Sequence, residues 1–396
     1  MIPYGKHSIS ILDVFRVAKQ MYFSSLTQGP KIKEFEELVA KYVGAKYAVA
    51  VSSGTAGLHL ALMALELPID SEVITTPISF VASSNAAIYN NLKPKFLDID
   101  PETLSISNKL VIEEIEKNRK VSAVIPVHFA GFATDISDIW RISNTKKIKI
   151  VEDAAHALGA KYPSGESVGC CKYSDATVFS LHPVKTITSG EGGIITTNSE
   201  DLYKKLCSLR THGINQSSKY ENTLLSKTLD NTNLWYYEMK WLGFHYRMTE
   251  IQAVLGISQL KKINKFVKKR RKLSKFYLKA LNNCNPLSVY PDIDSIENSA
   301  CHLLILRINF AKLNISKNNF MLELRKRKIG SQVHYKPIPL NPYYSTLGYD
   351  VDSLPEAMAY YHQALSIPLF PKLTMRKAKK ITTTINKMCI NYENKF

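Results

Sequence analysis

The 396-residue chain has no apolar run approaching the roughly 18 to 20 residues that a membrane-spanning helix needs. Its start, Met1-Ile2-Pro3-Tyr4-Gly5-Lys6, lacks the apolar core of a secretory signal. A cytoplasmic protein with no membrane partner is therefore expected. Cysteines are few: six, scattered without C-x-x-C spacing, with the adjacent Cys170-Cys171 poorly placed for an ordinary bridge. Reduced, structural thiols are expected rather than a disulfide framework, and no metal site is expected. No internal repeat is evident. Acidic residues are the scarcer charge, 34 against 52 lysines and arginines, for a formal net charge of +18.

That balance raises the question of an anionic partner. Much of it is local: Lys261-Lys262-Ile263-Asn264-Lys265-Phe266-Val267-Lys268-Lys269-Arg270-Arg271-Lys272, then Arg325-Lys326-Arg327-Lys328, then Arg376-Lys377-Ala378-Lys379-Lys380. On a helix the first run spreads charge over several faces, while Ile257, Leu260, Ile263, Val267 and Phe276 keep an apolar stripe. No helix-turn-helix, zinc finger or aromatic stacking motif accompanies the charge, so solvated helix faces are expected and a nucleic-acid partner is not. An anionic, nucleotide-bearing substrate remains compatible with it. Hydrophobic residues at 45% and charged residues at 22% are those of an ordinary globular protein.

Short apolar strands alternate with helical spacings. Strands are expected at 47–51, 72–75, 95–97, 122–126, 148–151, 175–180 and 193–197, with helices around 80–89, 111–117 and 136–143. This is the pattern of a mostly parallel α/β sheet. One long helix is expected over about 249–282. Beyond it come strands at 303–308 and 332–334 and helices at 317–326 and 375–388. The division expected is a large domain over 1–255 and a small C-terminal α+β domain over 256–396. The stretch 215–233, rich in Ser, Thr and Asn, reads as an inserted loop.

One segment carries chemistry. In Phe179-Ser180-Leu181-His182-Pro183-Val184-Lys185, followed by Gly190-Glu191-Gly192-Gly193, a lysine stands between a strand and a glycine turn. A surface lysine is the commoner role, but a turn between strand end and glycines can desolvate an amine and keep it available near neutral pH. Asp153 ends the apolar strand before Ala154-Ala155-His156. Its carboxylate would lie at the strand's C-terminal edge, where open α/β sheets bind ligands, and there it would need a cationic partner. The alternative for Asp153 is a helix cap, and for His156 a satisfied core position. Ser52-Ser53-Gly54-Thr55 opens a helix directly after a strand, a place that holds a phosphate. An amine, a carboxylate for a pyridine nitrogen and phosphate donors together are the requirements of pyridoxal phosphate. Phe80, otherwise a core aromatic, becomes a candidate to stack on the ring.

The combination Leu26-Thr27-Gln28-Gly29, Phe35-Glu36, Ser53-Gly54-Thr55, Thr75-Thr76-Pro77, Glu152-Asp153-Ala154-Ala155-His156, Ser180 to Gly193, Arg210-Thr211-His212-Gly213 and Leu242 to Leu260 resembles the DegT/DnrJ/EryC1/StrS family of sugar-nucleotide aminotransferases. Two further stretches, Trp235-Tyr236-Tyr237-Glu238-Met239 leading into Gly243 and Gln332-Val333-His334-Tyr335-Lys336-Pro337-Ile338, resemble the branch serving pseudaminic acid synthesis. The resemblance implies the aspartate aminotransferase-like fold type I of pyridoxal-phosphate-dependent transferases, and a homodimer with shared active sites. It implies L-glutamate as donor and the 4-keto group of UDP-2-acetamido-2,6-dideoxy-β-L-arabino-hexos-4-ulose as acceptor. It assigns Lys185 the covalent bond to the cofactor, Asp153 the pyridine nitrogen, Phe80 the stacked ring and His156 the ring hydroxyl. Gly54, Thr55 and Ser180 would bind the cofactor phosphate, and Thr27, Gly29, His334 and Tyr335 would meet the sugar nucleotide. One departure stands out: His245 occupies the place of the family's usual asparagine in Gly243-Phe244-His245-Tyr246-Arg247-Met248, where the neighbouring subunit's phosphate is reached. Alternatives are an aminotransferase acting on a dTDP- or GDP-linked keto sugar, a non-catalytic regulator on the same fold, and a catalytically idle assembly partner. A deoxygenating sub-branch carries histidine in place of the lysine, and Lys185 argues against it.

Overall fold

Runs rich in β-branched and aliphatic residues, each closed by a turn, make the central sheet. Its strands are β1 (Tyr47–Val51), β2 (Glu72–Thr75), β3 (Lys93–Phe96), β4 (Val121–Ile125), β5 (Lys149–Asp153), β6 (Ala176–Ser180) and β7 (Gly193–Thr197), in the order β1-β7-β6-β5-β4-β2-β3. This computed structural model describes residues 1–215, 237–281, 287–290 and 294–393. All strands but β7 run the same way; β7 pairs antiparallel with β1 and β6. Residues in β4, β5, β6 and β7 are buried on both faces because helices cover both sides of the sheet. The fold is the type I fold of pyridoxal-phosphate-dependent transferases.

The parallel strands end at one edge, and that edge positions the site. Ser53 caps the helix Gly54–Ala64 that leaves β1, its hydroxyl accepting from the Ala56 amide at 3.1 Å. A two-stranded ladder, β8 (Ile214–Asn215) with β9 (Glu238–Met239), lies beyond the sheet. The C-terminal part forms a second, antiparallel sheet of β10 (Leu287–Tyr290), β11 (Leu304–Ile308) and β12 (Ala364–Ile367). Helices Ile263–Leu281 and Met375–Glu393 contribute to its core, where Leu273, Tyr277, Leu306, Phe320, Ile381 and Ile385 are buried. The chain start joins this unit: Ile2 bridges to Ile329 and packs on its core.

The structure differs from the sequence reading in several places. The single helix expected over 249–282 is two, Glu250–Leu260 and Ile263–Leu281, interrupted at Lys261-Lys262. The first packs against helices Ile11–Phe23 and Pro30–Val43, the second against β10 and the last helix, so the chain must turn between them. The boundary at 255/256 falls inside the first helix. The strand expected at 332–334 is a single bridge, Gln332 to Ser366, because the segment turns its side chains toward a cavity instead of a ladder. Helix Ile11–Phe23 was not anticipated. Of the loop expected over 215–233, Asn215 ends a short strand instead; residues 216–233, with Trp235 and Tyr236, lie outside the described residues.

Candidate active site

β5 ends in Asp153, whose backbone is clamped from both neighbouring strands. Its amide donates to the Pro126 carbonyl (2.9 Å), its carbonyl accepts from the His128 amide (3.0 Å), and the next amide donates to Val178 (2.8 Å). The carboxylate, 4% exposed, accepts from the Ser83 hydroxyl at 2.6 Å and the Ala155 amide at 3.0 Å. Both donors are neutral, so the buried charge still lacks a bonded cation. Behind it Glu152 points to the opposite face of β5. It is bound by His128 (2.6 Å), Thr177 (2.8 Å), Ser174 and Tyr162. Burial raises its pKa, but His128 and the hydroxyls outweigh that and hold it below the usual carboxylate value. This network fixes the strand ends on which Asp153 sits.

After β6 the chain turns, and the Lys185 amide donates to the His182 carbonyl at 2.9 Å. The amine lines the same cavity as Asp153. Burial lowers its pKa to about 8, against the raising effect of the Asp153 charge. An amine so placed is partly neutral near physiological pH and able to act as nucleophile and base. His156 is 5% exposed, and burial, with the charges of Lys185 and His334, pushes its pKa well below the usual imidazole value. Its Nε2 lies 3.1 Å from the Tyr335 hydroxyl, while its Nδ1 is buried without a partner. His334 is pulled down to about 4 by burial and by Lys185, and its Nδ1 meets the Ser366 hydroxyl at 2.8 Å. Burial raises the Tyr335 phenol far above its ordinary value.

Ser53, Gly54, Thr55 and Ser180 line one end of this cavity of about 600 Å³, and Phe80, 57% exposed, another part of its wall. Space at Gly54 is tight: a Cβ would sit 3.0 Å from that of Ser180. These residues fit pyridoxal phosphate. The helix N-terminus and its hydroxyls suit the phosphate, Asp153 awaits a cationic nitrogen, and the unpartnered His156 Nδ1 leaves a hydrogen-bonding position for a ring substituent.

The structure thus brings Lys185, Asp153, His156, Gly54, Thr55, Ser180, Phe80, His334 and Tyr335 to one cavity. It does not bring Thr27, Gly29 or His245. Gly29 precedes helix Pro30–Val43, whose first amides, Lys31 and Ile32, donate to the Glu250 carboxylate. The His245 ring stacks on His212 at 5.5 Å, and its backbone bridges to Thr211. Sequence reading missed Tyr4, Gln332, Lys336, Asn341 and His302, which also line the cavity. Gln332 and Lys336 flank His334 and Tyr335 closely enough to have been found; the others carry no local signal.

Residues 13–386 match the DegT/DnrJ/EryC1/StrS aminotransferase family. The chain is 39% identical to the uncharacterized protein MJ1066 of Methanocaldococcus jannaschii, over 98% of this chain and 97% of that one. It is 33% identical to a Campylobacter jejuni protein named UDP-4-amino-4,6-dideoxy-N-acetyl-beta-L-altrosamine transaminase, over 97% and 96%. Among solved structures, PseC of Helicobacter pylori, described as an aminotransferase in the biosynthesis of pseudoaminic acid, superposes with a TM-score of 0.87 at 27% identity, covering all of both chains.

Proposed function

We propose an acceptor for an enzyme that belongs to the DegT/DnrJ/EryC1/StrS aminotransferase family and is a pyridoxal-phosphate-dependent sugar aminotransferase. The acceptor is the 4-keto group of a UDP-2-acetamido-2,6-dideoxy-hexos-4-ulose, and the donor is L-glutamate. The product is the 4-amino sugar, for nonulosonic acid or a related surface glycan. The observation that carries the chemistry is one buried pair: an amine at about pKa 8, Lys185, sharing a cavity with the buried carboxylate Asp153. The names of the Campylobacter and Helicobacter proteins support the choice of sugar.

When bound, the cofactor supplies an electron sink for the pair left when a carbon next to nitrogen loses its proton. The chain supplies the rest. Asp153 holds the proton on the ring nitrogen, so the ring stays electron-poor. Lys185 Nζ takes the proton from the α-carbon of glutamate and, in the second half-reaction, hands one to C4 of the sugar. Neutral His156 and Tyr335 add no positive charge beside that amine. Ser53, Gly54, Thr55 and Ser180 would hold the phosphate, and Phe80 would stand against the ring. Glutamate leaves as 2-oxoglutarate, and its nitrogen and a proton stay on the sugar.

The assembly proposed is a homodimer. Helix Ile11–Phe23 exposes Ile11, Phe15, Tyr22 and Phe23, and Leu242 stands nearly bare three residues before His245. An exposed apolar face of this kind suits a second copy of the chain. Thr27, Gly29 and His245 would then reach the partner's cavity. The free state of the cysteines described accords with a cytosolic enzyme. Among the described residues no helix is long and apolar enough to cross a membrane.

The test is a panel of UDP-, dTDP- and GDP-linked 4-keto-6-deoxy sugars, each with L-glutamate, read by mass spectrometry of the nucleotide sugar. Amination of the UDP-linked 2-acetamido sugar with the highest kcat/KM is expected. Preference for a dTDP- or GDP-linked sugar would overturn the acceptor but leave the transaminase intact.

A further inference from the structure

His302 comes from the C-terminal unit yet lines the catalytic cavity, 5% exposed. Its ring faces that of His156, with centroids 4.3 Å apart and planes 36° from parallel. The Tyr335 ring lies near-parallel to His156 at 6.1 Å, and its hydroxyl holds Nε2 of His156. The His156 imidazole is therefore held by an aromatic contact to His302 and by a hydroxyl from Tyr335, both supplied by the C-terminal unit.

The backbone of His302 is fixed from two directions. Its amide donates to the Ala130 carbonyl at 2.8 Å, and its carbonyl accepts from the Arg270 guanidinium at 3.1 Å. The neighbouring turn leaves no slack: a Cβ on Gly131, whose φ is +96°, would meet the His302 amide nitrogen at 2.8 Å. Arg270 is 1% exposed and is bonded to carbonyls, those of Leu369 (2.9 Å), His302 (3.1 Å) and Cys301 (3.3 Å), with its Nε unpartnered. Burial lowers its pKa to about 10, which still leaves it cationic. Burying a cation on carbonyls alone is costly, so the contact is an expensive way to pin three residues unless their position matters.

We propose that His302 is a positioning residue for the transamination: anchored by Arg270 and Ala130, its ring sets the plane of the His156 imidazole against the bound cofactor. The contact His302 makes is with the His156 ring. Burial, with His156, Lys185, Arg270 and His334 nearby, keeps His302 neutral, so it can stack on His156 without adding charge beside the amine. The role assigned is to the ring: its face meets His156, and Nδ1 of His302 is buried without a partner.

The experiment compares His302→Phe, which keeps a ring, with His302→Gln, which keeps polar atoms and loses it. Binding of pyridoxal phosphate to the cofactor-free dimer is followed by absorbance and by quenching of protein fluorescence, alongside steady-state kinetics. His302→Gln should weaken cofactor binding about three- to tenfold, the worth of one stacked pair. It should also lower kcat with little change in KM for the sugar, and His302→Phe should recover most of both. Leu373→Ala, a cavity in the C-terminal core at a residue that does not line the catalytic cavity, controls for general destabilisation. If it lowers the melting temperature as much as His302→Gln and weakens cofactor binding equally, the positioning role is overturned. It is equally overturned if His302→Gln binds the cofactor as the parent does, or if His302→Phe is no better than His302→Gln. Failure of all variants and the parent to bind the cofactor would instead strike at the cofactor assignment.

Discussion

The hydroxyl of Tyr335 lies 3.1 Å from Nε2 of His156, although 179 positions separate them in sequence. The contact ties the segment that follows helix Lys317–Lys326 to the residues just past β5. The part of the cavity wall made by His302, Gln332, His334, Tyr335, Lys336 and Asn341 thus depends on how the C-terminal unit seats on the central sheet.

Lys185 is a penalty as well as a reagent. Its folded pKa, about 8, is below the roughly 10.4 of an unfolded lysine. The unfolded chain therefore binds more protons between those values, so stability rises with pH across that window and the penalty is fully present below it. Lys185→Met should raise the stability of the cofactor-free protein at pH 7, by on the order of 1–3 kcal/mol, and flatten this pH dependence. Chemical denaturation at pH 7 and pH 10 checks it. Both half-reactions should be lost in the same variant.

Only the neutral amine attacks an aldehyde. The rate at which cofactor-free protein captures pyridoxal phosphate should climb with pH and level off above about 8. Stopped-flow absorbance at 390 nm or so reads it, and a rate independent of pH from 6 to 9 would contradict the lowered pKa.

Gly54→Ala puts a methyl 3.0 Å from the Ser180 Cβ, at the mouth of the phosphate cradle. The methyl displaces the Ser180 side chain, and losing the one hydrogen bond proposed from its hydroxyl to the phosphate is worth about 0.5–1.5 kcal/mol, so the Kd for the cofactor should rise roughly two- to tenfold. Equilibrium dialysis measures it; unchanged affinity would mean the cradle lies elsewhere.

The proposed dimer with shared sites makes a subunit-mixing prediction. A dimer of Lys185→Ala with His245→Ala holds one site with both native residues and one with neither. Equal mixing of the two inactive variants should restore about a quarter of parental activity. No recovery after subunit exchange is verified would place His245 outside the partner's site.

Much of this was legible because it is local. The apolar runs of β1, β2, β6 and β7 are bounded by turn residues, and the strand-turn-glycine context of Lys185 needs only some fifteen consecutive residues. The break at Lys261-Lys262 was not legible, since both flanking helices carry a continuous helical spacing and only their different packing partners separate them. Helix Ile11–Phe23 was missed for a related reason: its apolar residues, Ile11 at 84% exposure among them, do not face the chain's own core.

By itself, then, the sequence determined the lysine turn, the carboxylate at the end of β5 and the capped helix after β1, because each is a short pattern read within one element. The tertiary structure decided which residues surround them. His302 enters the cavity because Arg270 grips backbone carbonyls, and every residue has a carbonyl, so no side-chain pattern announces the grip. The lowered pKa of Lys185 arises from burial against the opposing pull of Asp153, and those of His156 and His334 from burial beside the Lys185 amine, a property of the meeting of three stretches of chain and not of any one of them.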